Sequence, residues 1–275
     1  MVHAASPTDV VRSAVAHPFA PIAARVGYVI NGLMHLLIAY LIVRIAMGAG
    51  GDADQTGALR TVAMTGAGNV ALWATAAALI PLTLWRIAET LLGLHPGEHT
   101  RSGADPQDLR WTNRLKAFGL AVVYTAVGVT AVQYALGRRK SGAAENAGLS
   151  ARLMQSTAGK AVLVAVGLVI LAIGCYFAFK GASRRFCDDL TVSPGAVVTV
   201  LGVFGYVAEG VVLVGVGALV VVASVRADPS KATGLDGAVK TLAHGPYGAV
   251  PVLCAALGFA AYGCYCFALS RYSRM

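Results

Sequence analysis

The chain has 275 residues, 57% of them hydrophobic and 13% charged, with a formal net charge of +9. Soluble domains carry roughly a quarter of charged residues, so a soluble domain of this length is not what this composition describes. The basic residues are scattered over all the loops rather than gathered into one patch, which argues against nucleic acid and for anionic lipid head groups as partners. In chain order, residues 1–25 form an N-terminal tail with Arg12, Pro7, Pro18 and Pro21 but no apolar core of its own. No cleavable signal peptide is therefore expected, and the first span is expected to act as an uncleaved signal anchor. Six apolar runs follow, over 26–48, 69–94, 115–137, 160–180, 197–225 and 248–270. Each reaches the roughly 20 residues a helix needs to cross the hydrocarbon. Six spans put both termini on one side. Lys and Arg are nearly balanced between the two sides, and the reading adopted is a multi-pass cell-membrane protein with cytoplasmic termini.

The runs repeat in pairs. The first contains G-Y-V-I-N-G from Gly27 and the fifth G-Y-V-A-E-G from Gly205, so two of six positions differ. Q-T-G-A-L-R-T-V from Gln55 matches L-D-G-A-V-K-T-L from Leu235. Gly57 and Gly237 each stand eleven residues before a further matching glycine, Gly68 and Gly248; Gly148 and Gly159 are the looser counterparts in the middle of the chain. The units are repeat 1 at 26–94, repeat 2 at 114–186 and repeat 3 at 197–275, each with two spans. Two spans return the chain to its starting side, so the repeats are expected to be parallel, related by a pseudo-threefold axis along the membrane normal. The fold class is then all-α: a polytopic membrane protein of six transmembrane helices in three parallel two-helix repeats. The segments 57–64, 149–156 and 235–243 are expected to lie as interfacial helices.

Three motifs, R-V-G-Y-V-I-N-G-L-M-H-L-L-I from Arg25, G-C-Y-F-A-F-K-G-A-S-R-R-F from Gly174 and G-L-D-G-A-V-K-T-L-A with P-Y-G from Gly234, occur in a fixed order. They resemble the "domain of unknown function 1206" family, found mainly in actinobacterial membrane proteins, over nearly the whole chain after residue 20. The resemblance implies six spans in three pairs and carries no activity with it. One departure is Glu209, where the family often has a basic or small residue.

Lipid offers no hydrogen-bond partner, so polar residues within the runs are the candidate functional set: Asn31, His35, Arg44, Arg86, Glu89 and Glu209. Arg44, Arg86 and Glu89 lie toward run ends, where long side chains snorkel. Arg86 and Glu89, three apart, are a candidate intrahelical ion pair. Glu209 lies near the middle of its run at the position matching Asn31, with His35 one turn from Asn31. These three form a candidate intramembrane cluster, with helix-to-helix bonding as the structural alternative. Gly167, Gly174 and Gly181 recur every seven residues on one helix stripe and are expected to pack against a neighbour. Of the five cysteines, Cys175, Cys187, Cys254, Cys264 and Cys266, none forms a C-x-x-C pair, and they are read as small packing residues.

No catalytic residue, metal site or cofactor is expected. His35 is the one histidine at membrane depth, too few for a bis-His haem. H-P-G-E-H at His95–His99 contains Pro96 and Gly97, a turn rather than a fixed ligand set. No G-x-S-x-G, P-loop or H-E-x-x-H occurs. The expected function is a non-enzymatic accessory or scaffold subunit of a cell-envelope membrane complex, with membrane-protein partners. The alternative is a small transporter or channel for a solute, proton or lipid; a lipid-modifying enzyme is a third and weaker reading.

Overall fold

The structure, a computed structural model, describes residues 19–92, 108–138, 142–192, 194–246 and 248–273, with side chains omitted at 19–24, 85, 88, 89, 92, 108–113, 116 and 143. Among these residues the regular elements are all helical. The α-helices are α1 (Phe19–Ala46), α2 (Gln55–Ala63), α3 (Gly68–Leu92), α4 (Asp108–Ala135), α5 (Gly142–Met154), α6 (Thr157–Ala182), α7 (Ala196–Arg226), α8 (Leu235–Ala243) and α9 (Ala249–Tyr272). Two 3₁₀ turns, Arg185–Asp189 and Pro229–Lys231, flank α7.

Local chemistry sets the boundaries. Ser156 caps α6, its hydroxyl accepting the Gly159 N–H at 3.0 Å. Asp54 does the same for α2, accepting the Gly57 N–H at 2.8 Å. After α1, Gly48, Gly50 and Gly51 adopt positive φ, which only glycine takes freely, and turn the chain into α2.

Five helices are long and apolar enough to cross a bilayer: α4, α6, α7 and α9, together with Arg25–Ala46 of α1. In α3 an apolar stretch covers Gly68–Leu84, up to Trp85, whose side chain is among those not described.

The chain divides into two compact units that do not follow the repeat boundaries. In the first, spanning 62–139, α3 packs on α4. Leu79 meets Gly128, and the Arg114 guanidinium donates to the Leu91 carbonyl at 3.3 Å. The second unit, 25–61 with 140–274, holds the other helices. Here α6 packs on α7, and α7 on α9. α1 lies against α9 through Ile38, Ile42, Val252 and Phe259. Both α3–α4 and α6–α7 join the second helix of one repeat to the first helix of the next. In repeat 3 the two helices of one repeat, α7 and α9, also pack on each other.

Glycines bring these helices together. A Cβ on Gly174 would stand 2.7 Å from the Gly210 carbonyl oxygen, and one on Gly210 would stand 2.6 Å from that of Gly174. Gly167 and Gly217 face each other in the same reciprocal way, as do Gly32 of α1 and Gly263 of α9. With no driving force from water between helices in lipid, this backbone-to-backbone approach supplies the packing.

The short helices α2, α5 and α8 also meet one another. Asp236 of α8 accepts the Ala53 N–H, just before α2, at 2.9 Å. The first N–H of α5, from Gly142, donates to Thr56 Oγ1 of α2 at 3.1 Å. Gly234, before α8, lies beside the Asn146 side chain of α5. α5 begins seven residues earlier than the segment expected from sequence, because Gly142–Ala147 extends its first turns.

Candidate functional site

The polar residues of α1 and α7 meet inside the second unit. His35 is buried, at 8% exposure. Its Nδ1 lies 2.8 Å from the Asn31 carbonyl oxygen one turn back, and its Nε2 lies 3.4 Å from Glu209 Oε1. The ring stacks on Phe259 at 5.7 Å between centroids and tilts against Tyr262 at 4.8 Å. Glu209 Oε2 is buried with no partner. The Asn31 amide points elsewhere, donating to Cys266 Sγ at 3.4 Å.

The protonation of this pair follows from its partners. A carbonyl oxygen only accepts, so His35 Nδ1 carries a hydrogen. The contact between Nε2 and Oε1 then needs a proton of its own. It is either a neutral carboxyl donating to a neutral ring or an imidazolium donating to a carboxylate. Both arrangements hold one proton between the two groups and have no net charge, which is what burial among aromatic rings favours.

An aromatic cluster continues from the pair. Tyr262 meets Tyr206 edge-on at 5.1 Å. Tyr206 stacks on Phe186 at 5.6 Å, and Tyr265 Oη donates to the Phe186 carbonyl at 3.3 Å. Phe186 is held in the 3₁₀ turn after α6 and fills the space that Gly202 leaves on α7. Beside it Lys180 Nζ donates to Asp189 Oδ2 at 2.6 Å and lies 5.2 Å from the centre of the Tyr206 ring. A cavity of about 430 Å³ opens here, lined by Lys180, Asp188, Asp189, Tyr206, Tyr262 and Ser273 among others.

A second polar cluster joins α8 to the segment before α2. Asp236, 1% exposed, accepts from Lys240 Nζ at 2.7 Å as well as from the Ala53 N–H. Lys240 also approaches Asp52 at 3.6 Å, and Asp52 approaches Arg60 at 3.7 Å. Burial alone would lower the Lys240 pKa, but Asp236 and Asp52 outweigh it and raise it. The Asp54 carboxyl is raised, chiefly by burial, against the hydrogen bonds from Thr56 and Gly57 that favour its charged form. Among the described residues, no three His, Cys, Asp or Glu side chains are grouped as a metal ion requires.

Of the candidates read from sequence, His35 and Glu209 are in contact and Asn31 adjoins them through its backbone. Arg44 reaches the Ala49 carbonyl at the end of α1. The proposed partner of Arg86, the Glu89 side chain, lies outside the described residues, as does His95–His99. Gly167, Gly174 and Gly181 line the face of α6 that meets α7. Among the cysteines Cys266 is buried, whereas Cys175, Cys254 and Cys264 are exposed on the helix surfaces. The sequence reading passed over Tyr206, Tyr262, Lys180, Asp189 and Asp236. The aromatic spacing Phe259, Tyr262, Tyr265, one helix face by its steps of three, was the available signal for Tyr262.

Helices of this length and apolarity, built on a threefold internal repeat, define an all-helical protein of membrane type. The chain belongs to the family described as Domain of Unknown Function (DUF1206), whose profile matches residues 26–93, 115–184 and 204–273. It is 26% identical over 258 residues to the uncharacterized protein YxxB of Bacillus subtilis (strain 168), covering 91% of this chain and 90% of that one. That relative comes from a Bacillus, not from the actinobacteria that the resemblance brings to mind. No solved structure matches the chain significantly.

Proposed function

We propose that the protein is a non-enzymatic, multi-pass protein of the cell membrane that serves as an accessory or scaffold subunit of a cell-envelope complex. In this reading it has six spans in three parallel repeats, cytoplasmic termini, and anionic lipids and other membrane proteins as partners. The observation that carries it is how the mid-span polar groups are used. His35, Asn31 and Glu209 tie α1 to α7 and α9, and the His35 ring lies against Phe259 and Tyr262. Polar groups employed this way fasten a bundle. The mutual contacts of α2, α5 and α8 support the cyclic arrangement of repeats.

The test is a tagged full-length chain extracted from its native membrane in mild detergent, and the same chain purified and reconstituted in vesicles. The reading expects a fixed-stoichiometry membrane-protein companion and vesicles no leakier to protons or small solutes than empty ones. Gradient dissipation by the purified chain alone would reject it in favour of a transporter.

A further inference from the structure

We propose that the cavity of about 430 Å³ lined from α1, α6, α7 and α9 is a binding site for a phosphoethanolamine group, a primary ammonium joined to a singly charged phosphodiester. This goes beyond the scaffold reading and does not depend on it, since the site is defined by its own walls.

The walls supply both halves of such a group. Tyr206 and Tyr262 are buried, and Tyr28 of α1 adds a third aromatic side chain. Lys180 Nζ donates to Asp189 Oδ2 at 2.6 Å and lies 5.2 Å from the centre of the Tyr206 ring. The protein's own ammonium is thus held here by a carboxylate and an aromatic face, the two kinds of group that hold an ammonium brought by a ligand. The contact with Asp189 uses one of three Nζ donors, so Lys180 can also meet an anionic oxygen. Ser273 Oγ, on the same wall, is buried and has no hydrogen-bond partner. A phosphate oxygen beside it would satisfy that hydroxyl. Asp188 is exposed at the rim, pairs with no cation among the described residues, and is the acceptor for the ligand's ammonium.

The charge balance selects the ligand. Lys180 offsets Asp189, and Asp188 leaves these walls with an excess of negative charge. That excess repels a simple anion, whereas a zwitterion sets its ammonium at Asp188 and its phosphate between Lys180 and Ser273. A doubly charged phosphomonoester would again be repelled, which leaves the diester. A metal ion does not suit the donors, because among the described residues no three His, Cys, Asp or Glu side chains are grouped as one requires. The depth suits a lipid head group. Lys180 lies in the last turn of α6, Ser273 follows the end of α9, and Tyr28 lies near the start of the apolar stretch Arg25–Ala46. Lys and Tyr side chains at the ends of apolar helices sit among head groups. A membrane lipid and a soluble glycerophosphodiester carry the same group, and the experiment separates them.

The experiment is thermal unfolding of the purified full chain in a maltoside detergent. It is titrated with dihexanoyl-phosphatidylethanolamine, with glycerophosphoethanolamine, and with dihexanoyl-phosphatidylglycerol, which has the phosphodiester but no ammonium. A ligand of the folded state raises Tm saturably. The ethanolamine lipid is expected to do so at about tenfold lower concentration than the glycerol lipid, the scale of one charge-assisted hydrogen bond. A weaker response to glycerophosphoethanolamine than to the ethanolamine lipid assigns the site to a lipid, and an equal one to a soluble ligand. Asp188→Asn and Ser273→Ala should each weaken binding about tenfold. Ser273→Ala removes a buried hydroxyl that has no partner, so it should not lower Tm without ligand, which separates a lost contact from a damaged fold. Glu145→Gln, at an exposed position on α5, is the control and should bind like the parent. No saturable shift with either ethanolamine compound, an equal shift with the glycerol lipid, or unchanged binding in Asp188→Asn or Ser273→Ala would each overturn the proposal.

Discussion

Asp54 and Asp236 show how differently two aspartates near one helix behave. Asp54 caps α2, so its oxygen is needed but its charge is not. Its raised pKa means that folding penalises the charged carboxylate relative to the unfolded chain. The sign follows: this group adds most stability below its unfolded value, and the advantage fades as pH rises through its raised folded value. Asp54→Asn keeps an acceptor and removes the buried charge, so it should be neutral or stabilising at pH 7 in thermal unfolding in detergent. Asp54→Ala loses the cap and should cost about 1 kcal/mol. Asp236 is the opposite case, because its two oxygens serve the Ala53 N–H and Lys240. Asp236→Ala orphans a buried donor and should cost about 2–4 kcal/mol in the same assay, with Asp236→Asn recovering much of that through Ala53. Lys240 stays charged below its raised pKa, so this tie should hold through neutral pH and weaken only in strong alkali.

Among the elements, the α6–α7 seam tests whether glycine is required or merely tolerated. A Cβ on Gly174 would meet the Val214 nitrogen at 2.6 Å and the Gly210 oxygen at 2.7 Å. Both are backbone atoms, so no side chain can turn aside. Gly174→Ala should lower thermal stability clearly, by about 1–3 kcal/mol as overpacking does, and Gly174→Leu by more. Gly215, on the same helix α7 as Gly210, has nothing within 4 Å, so Gly215→Ala should be harmless. Equal effects at the two positions would show that the seam does not depend on close approach. The seven-residue spacing of Gly167, Gly174 and Gly181 was plain in the sequence, because one helix suffices to define a stripe. Which helix receives it was not, since α7 carries glycines on several faces and pairing is decided by three-dimensional fit. The same limit applied at the site. The motif match put Glu209 level with Asn31, yet the imidazole that faces Glu209 belongs to His35 and the Asn31 amide turns to Cys266. A side-chain partner depends on rotamer and helix rotation, which spacing does not specify.

For the molecule as a whole, the threefold internal repeat and the helical class were legible because hydropathy and glycine spacing recur along the chain. Six spans were read from the same hydropathy, and α3, with Arg86 following its apolar stretch Gly68–Leu84, is the one to test. That helix decides the topology. If it crosses, every repeat enters the membrane the same way, and the turns after α2, α5 and α8 all lie on the face opposite the termini. If it does not, every later element is inverted relative to α1, and the turn after α2 lies opposite the turns after α5 and α8. Single cysteines at Thr65, Gln155 and His244, one in each turn, distinguish the two in a background without exposed native cysteines. Cys266 is left in place, since it is buried and accepts from Asn31. With a membrane-impermeant maleimide on intact cells, six parallel spans predict labelling at all three positions and none at a cysteine placed at Ser273. Labelling that separates Thr65 from Gln155 and His244 would mean that α3 stays on one face. The contacts from Asp236 to Ala53 and from Gly142 to Thr56 favour the common side, because they bring all three short helices together and hydrogen bonds do not reach across a bilayer.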